Sequence, residues 1–430
     1  MSKGTAASSS IPANSSSQTP AFSQESSASR QPFQLNSHNL KHNHPWGPEL
    51  SDLKPDDISR IYFQNVNGLR LANNGIDILD FFCHMKSIKA DIIRASEINV
   101  ELHHPFVQRL FSKHRNQVWT HSRFSLSSSK ISFNSMRKPG GTLLGVTGNT
   151  SGRIVNQYSD PMGCFSSITL LGKLGKHVTI ISAYQVPRNS GSCGKTTSHQ
   201  QQVLQMKRDG IRDQNPRRQF CSSLDTYLSA KIYEKHQIIL GGDFNEEVGL
   251  NMDGITALIA KHNLVDVMRT HLGAADEPAT YSRGSRRLDY IFMTDDIASL
   301  VRSCGAEPFN HRFFSDHRGL YVDLAVSGLF DRNLSPLASP QHRDIRSGNP
   351  SLIRKYISHL THYFSEKDIP TRAEFLKHSV SRIEAESLDA DISDAMLKAG
   401  KVCAQTSRLS LSPQLHEAQT KHRIFQQVLT

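Results

Sequence analysis

No two of the six cysteines, Cys83, Cys164, Cys193, Cys221, Cys304 and Cys403, form a C-x-x-C pair. The sequence therefore offers neither a zinc module nor a disulfide framework, and a reducing compartment is the simpler home. No apolar stretch approaches the roughly 18 residues that cross a bilayer. The N-terminus also lacks the apolar core of a signal peptide. The expectation is a soluble, intracellular protein without a membrane partner, and a nuclear location is compatible with it. A G-x-S-x-G elbow is missing as well, which excludes the serine triad of an α/β-hydrolase. Acidic residues are in deficit: 39 Asp and Glu against 50 Lys and Arg leave 430 residues at +11. That balance favours a polyanionic partner such as nucleic acid, although it equally suits a soluble protein with a basic tail.

What is present falls into three stretches. Residues 1–50 are rich in Ser, Ala, Gln, Asn and Pro, with too few large apolar side chains to offset the entropy of ordering. They read as a disordered tail, in which the His- and Lys-bearing run from His38 to His44 is solvated rather than a metal or polyphosphate contact. From Ile58 to about Val326, short β-type runs alternate with Gly, Pro, Asn and Asp. The runs are I-Y-F-Q-N-V, A-D-I-I-R-A, G-T-L-L-G-V, F-S-S-I-T-L-L, H-V-T-I-I-S-A-Y, H-Q-I-I-L-G-G-D, L-D-Y-I-F-M and G-L-Y-V-D-L. So many strands in one span predict a β-sandwich, with helices at Ile76–Ile88, Phe106–Lys113, Arg217–Lys235 and Gly254–His262 on its outer faces. Asn189–Arg218 reads as an irregular loop. A Pro-, Ser- and Arg-rich connector over 327–349 leads to an appendage over 350–430, with helices at Pro350–Lys367, Thr371–Ser387 and Leu388–Val402 and another near the chain end.

Several strand ends carry polar groups. In Q-N-V-N-G-L a strand runs into Asn65, Asn67 and Gly68, which ordinary turn chemistry also explains. A-D-I-I-R-A-S-E ends at Glu97, a carboxylate suited to a hard cation or simply to solvent. Tyr184 ends S-A-Y, either aiming its hydroxyl at a phosphate or capping the core. I-I-L-G-G-D-F-N is more specific: alternate residues of an extended chain share a face, so Asp243 and Asn245 point together, a carboxylate beside an amide that could orient a water. Lastly, R-L-D-Y and S-D-H supply Asp289, Asp316 and His317, in which Asp289 could hold the imidazole protonated.

Taken in order, N-x-N-G, S-E, S-A-Y, G-G-D-F-N, A-T-Y, R-L-D-Y and S-D-H resemble the endonuclease/exonuclease/phosphatase superfamily over about residues 59–325. The spacing is similar to its apurinic-endonuclease-like branch. N-V-N-G-L, K-P-G-G-T and R-L-D-Y-I look like its non-LTR retrotransposon members, and residues 350–430 resemble the connector that follows the endonuclease in retroelement polyproteins. The resemblance implies an α+β fold over 59–326, a four-layer αββα sandwich of two packed, mostly antiparallel sheets flanked by helices. It implies Mg2+, or Mn2+ in its place, on Glu97, with Asn67 or Asp316 nearby, directly or through water. Asp243 would align or deprotonate the attacking water, Asn65 and Asn245 would hold water and phosphate, and His317, paired with Asp289, would join Tyr184 in stabilising transition-state charge. The chain departs from the pattern at Arg94, inside a strand that is usually apolar, and at Ser96, where Gln commonly precedes the acid.

The implied activity is nicking of DNA to leave a 3′-hydroxyl. Basic residues at Arg188, Lys195, Lys207, Arg208, Arg217 and Arg218, and at Arg283, Arg286 and Arg287, would track the DNA backbone or merely keep the surface soluble; Arg188, Arg286 and Arg287 are the substrate-binding candidates. Two other readings compete, because substrate choice lives in loops. One is a phosphodiesterase or phosphatase acting on RNA, abasic DNA or a phosphorylated lipid. The other is a decayed remnant that binds nucleic acid without turnover.

Overall fold

The computed structural model describes residues 30–403, apart from 133–134, 189–195, 251, 276, 331–348 and 379–381. Twelve strands run in chain order as β1 (Ile58–Asn65), β2 (Ile92–Ser96), β3 (Ser122–Ser127), β4 (Thr142–Thr147), β5 (Ile154–Ser159), β6 (Phe165–Leu171), β7 (His177–Tyr184), β8 (Gln237–Asp243), β9 (Val265–Asp266), β10 (Asp289–Met293), β11 (Val301–Ala306) and β12 (Leu320–Ala325). They form two six-stranded sheets, ordered β11-β12-β1-β2-β4-β3 and β5-β6-β7-β8-β10-β9. One neighbouring pair in each sheet is parallel, β1 with β2 and β7 with β8, and the remaining pairs are antiparallel.

Alternation along the strands builds four layers. Ile61, Phe63, Ile92, Ile180, Ile239 and Ile291 turn one face of each strand into the core between the sheets. Their neighbours point outward, and both outward faces are apolar, so both need a cover. Tyr62 and Ile93 pack against helices Ala72–Ser87 and Pro105–Val118 through Phe81, Phe82 and Leu110. Ile181, Leu240 and Tyr290 pack against helices Pro216–Tyr233 and Gly254–Lys261 through Phe220, Leu224 and Ile255. The αββα sandwich expected from the motifs is what the chain forms.

Four strands were not legible in the sequence, β3, β5, β9 and β11, and these are the edges of the two sheets. An edge strand leaves part of its surface to solvent and carries a weaker apolar signal; β5 is exposed from Val155 to Ser159. The loop expected over Asn189–Arg218 contains helix Ser198–Arg208, whose N-cap Thr197 accepts from the Gln200 amide. Its buried face is Gln201, Gln202, Gln205 and Met206, so the helix packs with amides and shows no apolar period.

The tail expected over residues 1–50 is corrected from residue 30 onward; 1–29 lie outside the described residues. Residues 30–50 lie along the sandwich: Trp46 bridges to Ala306, Asn39 is buried, and Arg318 donates to the His42 and His44 carbonyls. These contacts are largely hydrogen bonds to main-chain carbonyls, which composition does not reveal. At the other end Leu329 and Phe330 join the inter-sheet core, so packing continues past residue 326, while most of the expected linker lies outside the described residues.

The chain divides into units of residues 1–338 and 339–430. The second contains helices Pro350–Glu366, Ile369–His378 and Arg382–Cys403, so the last one starts earlier than expected, and Arg372 pairs with Glu384 and Asp391 at 2.7 Å. The helix expected near the chain end lies outside the described residues. Among the described residues no helix is long and apolar enough to cross a membrane.

Arg94, the residue out of pattern in β2, lies fully buried between the sheets. It donates to the Ile181 carbonyl at 3.1 Å, and its Nε and Nη2 have no partner. Loss of hydration pulls its guanidinium down to about 9. Gly241 makes its room, since a Cβ there would come within 2.4 Å of the guanidinium. Gly241→Ala should therefore cost roughly 1–3 kcal/mol by overpacking, and much less in an Arg94→Met background. At neighbouring Gly242 an added Cβ would meet the Ala183 carbonyl at 2.1 Å, so Gly242→Ala should gain nothing from Arg94→Met. Denaturant unfolding of the two double-mutant cycles checks this; additivity at Gly241 would refute it.

Candidate active site

The strand ends converge by register. β8 ends at Asp243, which lies opposite Tyr184 at the end of parallel β7 and opposite Asp289 at the start of antiparallel β10. In the other sheet Asn65 at the end of β1 lies opposite Ser96, so Glu97 is the next residue out, and the S-D-H turn precedes β12 on the same edge. Asn65, Asn67, Glu97, Tyr184, Asp243, Asn245, Asp289, Asp316 and His317 thus come from both sheets to one end of the sandwich.

Asp243 is the hub. Its Oδ2 accepts from Asn65 Nδ2 at 2.9 Å and from Asn245 Nδ2 at 3.2 Å, and its Oδ1 from the Asn245 amide at 2.9 Å. Asn245 is fixed in turn by the Gln185 carbonyl at 2.9 Å. His317 Nδ1 lies 2.8 Å from Asp289 Oδ2, while His317 Nε2 stands 3.9 Å from Asp243 Oδ2, beyond hydrogen-bond reach. An oxygen placed between His317 and Asp243 could contact both. Glu97 accepts from Asn65 and from the Tyr184 hydroxyl, and Asn67 Nδ2 donates to Asp316 Oδ2 at 2.9 Å. Asn67, Glu97 and Asn245 adopt left-handed backbone, with φ of 44°, 50° and 45°. Asn tolerates that region, whereas a Glu held there carries strain on the order of 1–3 kcal/mol.

The site holds more acid than base. Burial, then Asp289 and Glu97, push Asp243 up to about 8 against the pull of His317. Burial alone would lower the His317 imidazole, but Asp289, Asp243 and Asp316 outweigh it and hold it at about 10. Loss of hydration likewise raises Glu97, with Asp316 adding to it, and keeps the Tyr184 phenol well above its ordinary value beside Glu97 and Asp243. At neutral pH His317 is therefore an imidazolium and Tyr184 a neutral hydroxyl donor.

Two donor sets could meet a cation. Asp243, Asp289 and His317 each present a ligand atom within 4.8 Å of the others. In that set, however, Nδ1 of the imidazolium already serves Asp289, and an imidazolium carries no lone pair for a metal. Glu97, Asp316 and Asn67 offer oxygens only, the donor type of a hard divalent ion.

The substrate-binding candidates separate. Arg188 and Arg286 are exposed, and Arg286 stands 3.5 Å from Glu247. Arg287 is a correction: it is 4% exposed, pairs with Asp266 at 2.8 Å and lies over the Tyr290 and Trp46 rings. Its guanidinium is spent on bracing the sheet. Arg217 is likewise engaged, with Glu246 and the Val186 carbonyl. Lys195 lies outside the described residues. Sequence reasoning passed over Thr280, whose Oγ1 accepts from the Leu288 and Asp289 amides, and Ser315, which donates to the Asn65 carbonyl. Both stood inside motifs already quoted, A-T-Y and S-D-H, in which the ionisable neighbours drew the attention.

These shifts set the pH dependence of the metal-free fold. A carboxyl raised by folding binds its proton more tightly in the native state, so Asp243 costs stability progressively from the ordinary Asp range, about 4, up to its folded value. His317 contributes stability that is full below about 6.5 and lost as pH rises through its folded value near 10. Thermal melting in EDTA should fall from pH 5 to pH 9. Asp243→Asn should flatten that fall and melt several degrees higher at pH 9, by about 2–4 °C per kcal/mol; a wild-type melting point that rises across this range would refute the assignment.

No protein-family model matches the sequence, and no curated protein matches it. Among solved structures, the chain is similar to an AP endonuclease from Leishmania major, at 18% identity and TM-score 0.45, covering 69% of this chain and 92% of that one. It is similar to an endonuclease/exonuclease/phosphatase family protein from Leptotrichia buccalis, at 18% identity and TM-score 0.38, over 62% of this chain and 99% of that one. It is also similar to a 3′ phosphatase from Neisseria, solved bound to a product DNA hairpin, at 15% identity and TM-score 0.41, over 62% and 99%.

Proposed function

We propose that this chain is a divalent-metal-dependent phosphodiesterase of the endonuclease/exonuclease/phosphatase superfamily, acting as a DNA-nicking endonuclease of the retrotransposon kind. The observation that carries the reading is the interval between the buried carboxyl of Asp243 and a buried imidazolium. Asp243 is fixed by two amides, His317 is held cationic by Asp289, and the pair stand 3.9 Å apart, facing each other without bonding. In this reading the ionised form of Asp243, whose share grows as pH rises toward 8, accepts the proton of an attacking water that Asn65 and Asn245 orient. His317 Nε2 donates to a phosphate oxygen, where charge gathers as the water adds, and the Tyr184 hydroxyl, which donates to Glu97 in this structure, would turn to the phosphate to share that charge.

A hard cation fits the other pole of the site. Burial, with Asp316 adding to it, raises the cost of ionising Glu97, and Asn67 Nδ2 already serves Asp316, which leaves its Oδ1 to accept. Glu97, Asn67 and Asp316 would hold Mg2+ or Mn2+ directly or through water. The ion would supply positive charge to the phosphate and to the departing 3′-oxygen. DNA is the favoured substrate because the chain is at +11 and exposed Arg188, Arg283 and Arg286 follow Tyr184 or precede Asp289. The retroelement origin rests on N-V-N-G-L, K-P-G-G-T and R-L-D-Y-I.

Nicking of supercoiled plasmid tests the reading, with abasic duplex, RNA and inositol phosphates run alongside. Wild type should nick plasmid with Mg2+ and stop in EDTA. Asp243→Ala and His317→Ala should each lose roughly a hundredfold to a thousandfold in rate. Metal-dependent turnover of only RNA or an inositol phosphate would move the substrate assignment. Salt-sensitive DNA binding with no product on any substrate would replace the enzyme by a binding remnant.

A further inference from the structure

The N-x-N-G turn, which carries the candidate ligand Asn67, is not held by strand pairing alone. Its amides are held from one side, where Val66, Gly68 and Leu69 donate to the carbonyls of Ser96, Glu97 and Ile98. Its carbonyls are held from another. Asn65 accepts from Ser315, and the three that follow accept from a single side chain, Arg30. Arg30 Nη1 donates to Gly68 at 2.7 Å, and Nη2 donates to Val66 and, at 3.4 Å, to Asn67. The guanidinium is 13% exposed, stands 3.3 Å from Asp77 and lies over the Phe313 ring at 4.6 Å. Loss of hydration lowers it to about 10, which leaves it cationic at neutral pH.

The same N-terminal segment grips the opposite side of the site. Asn39, buried on helix Ser37–Lys41, donates through Nδ2 to the carbonyls of Tyr281, Ser282 and Gly284, at 2.9–3.0 Å. Tyr281 forms a bridge with His317, and the Ser282 amide donates to the Asp316 carbonyl at 2.7 Å. Residues 30–50 therefore tie down the N-x-N-G turn directly and the S-D-H turn through residues 281–284, and those two turns meet where Asn67 touches Asp316.

We propose that Arg30 is a positioning residue for the cation pole of the site. It locks Asn67 in its left-handed conformation by occupying the carbonyls on either side, and so sets the spacing between Asn67, Asp316 and Glu97. The inference rests on the reading of that pole as the metal site. A planar fork with several donors can serve three carbonyls at once, whereas a lysine is a point charge on a flexible stem. Partners that orient metal ligands typically change affinity by roughly 10–100-fold when removed.

The full chain tests this as wild type, Arg30→Ala, Arg30→Lys and, as a control on the same segment, His38→Ala, whose exposed ring packs against His42. Mn2+ binding, followed by electron paramagnetic resonance without DNA, should weaken roughly 10–100-fold in Arg30→Ala. The Mg2+ concentration for half-maximal nicking should rise in proportion, while DNA affinity in EDTA stays put. Arg30→Lys should recover only a small part, and His38→Ala should match wild type. Unchanged Mn2+ affinity in folded Arg30→Ala would overturn the proposal. If Arg30→Ala does not fold, Arg30→Lys decides on the same measure. If wild type neither nicks nor binds Mn2+, the metal reading has failed by itself. Hydrogen exchange at Asn67–Leu69 then judges the clamp: at least a tenfold acceleration in the arginine variant supports it, and an unchanged rate removes it.

Discussion

The pairing of Asp289 with His317 is the interaction on which the rest of the site depends. Five ionisable groups, Glu97, Asp243, Asp289, Asp316 and His317, are drawn to one edge of the sandwich, and four of them are acids. The cation of His317 is what makes such a gathering tolerable in a dry setting, because unpaired buried carboxylates cost far more than paired ones. Asp289 reaches that ring only because β10 runs antiparallel to β8 in a register that sets Asp289 beside Asp243. Sheet pairing thus delivers the charges, and the charges in turn require that pairing to be rigid.

How far the sequence could be read follows the same physics. The eight inner strands were legible because both of their faces are buried, which leaves dense runs of Ile, Leu, Val and aromatics in the chain. The four edge strands were not, since solvent relaxes the demand on one side. Helix Ser198–Arg208 escaped notice because glutamines, not leucines, fill its inner face. Site residues were legible where a motif combined a strand end with an ionisable group, as at Asp243 and His317. Reading failed where a side chain works through main-chain carbonyls: Arg30 and Asn39 sit in a stretch whose composition signals disorder, and nothing local marks their distant partners. Arg287 shows the converse error, in which a basic residue beside a motif looked like a ligand contact but is consumed by Asp266 and two aromatic faces.

Strain and restraint are also distributed unevenly around the site. The carboxylate side rests on asparagines, which accept left-handed backbone readily, and on short side-chain bonds within G-G-D-F-N. The opposite side relies on Glu97, which does not accept that backbone readily, and on a turn whose carbonyls are satisfied from residue 30. The first half is bonded partly within its own motif, with Asn65 reaching in from the other sheet, while the second draws on residue 30, outside the strands altogether.

Arg94 and Gly241 carry a consequence for how this chain could change over time. The guanidinium fills the space that a methyl group at position 241 would require, and the two residues lie on different sheets. Replacement of the arginine must come first, because the reverse order passes through an intermediate with a crowded interior. Relatives that carry a side chain at the first glycine of G-G-D are thus expected to carry a smaller residue at position 94, a correlation between two sites set by volume alone.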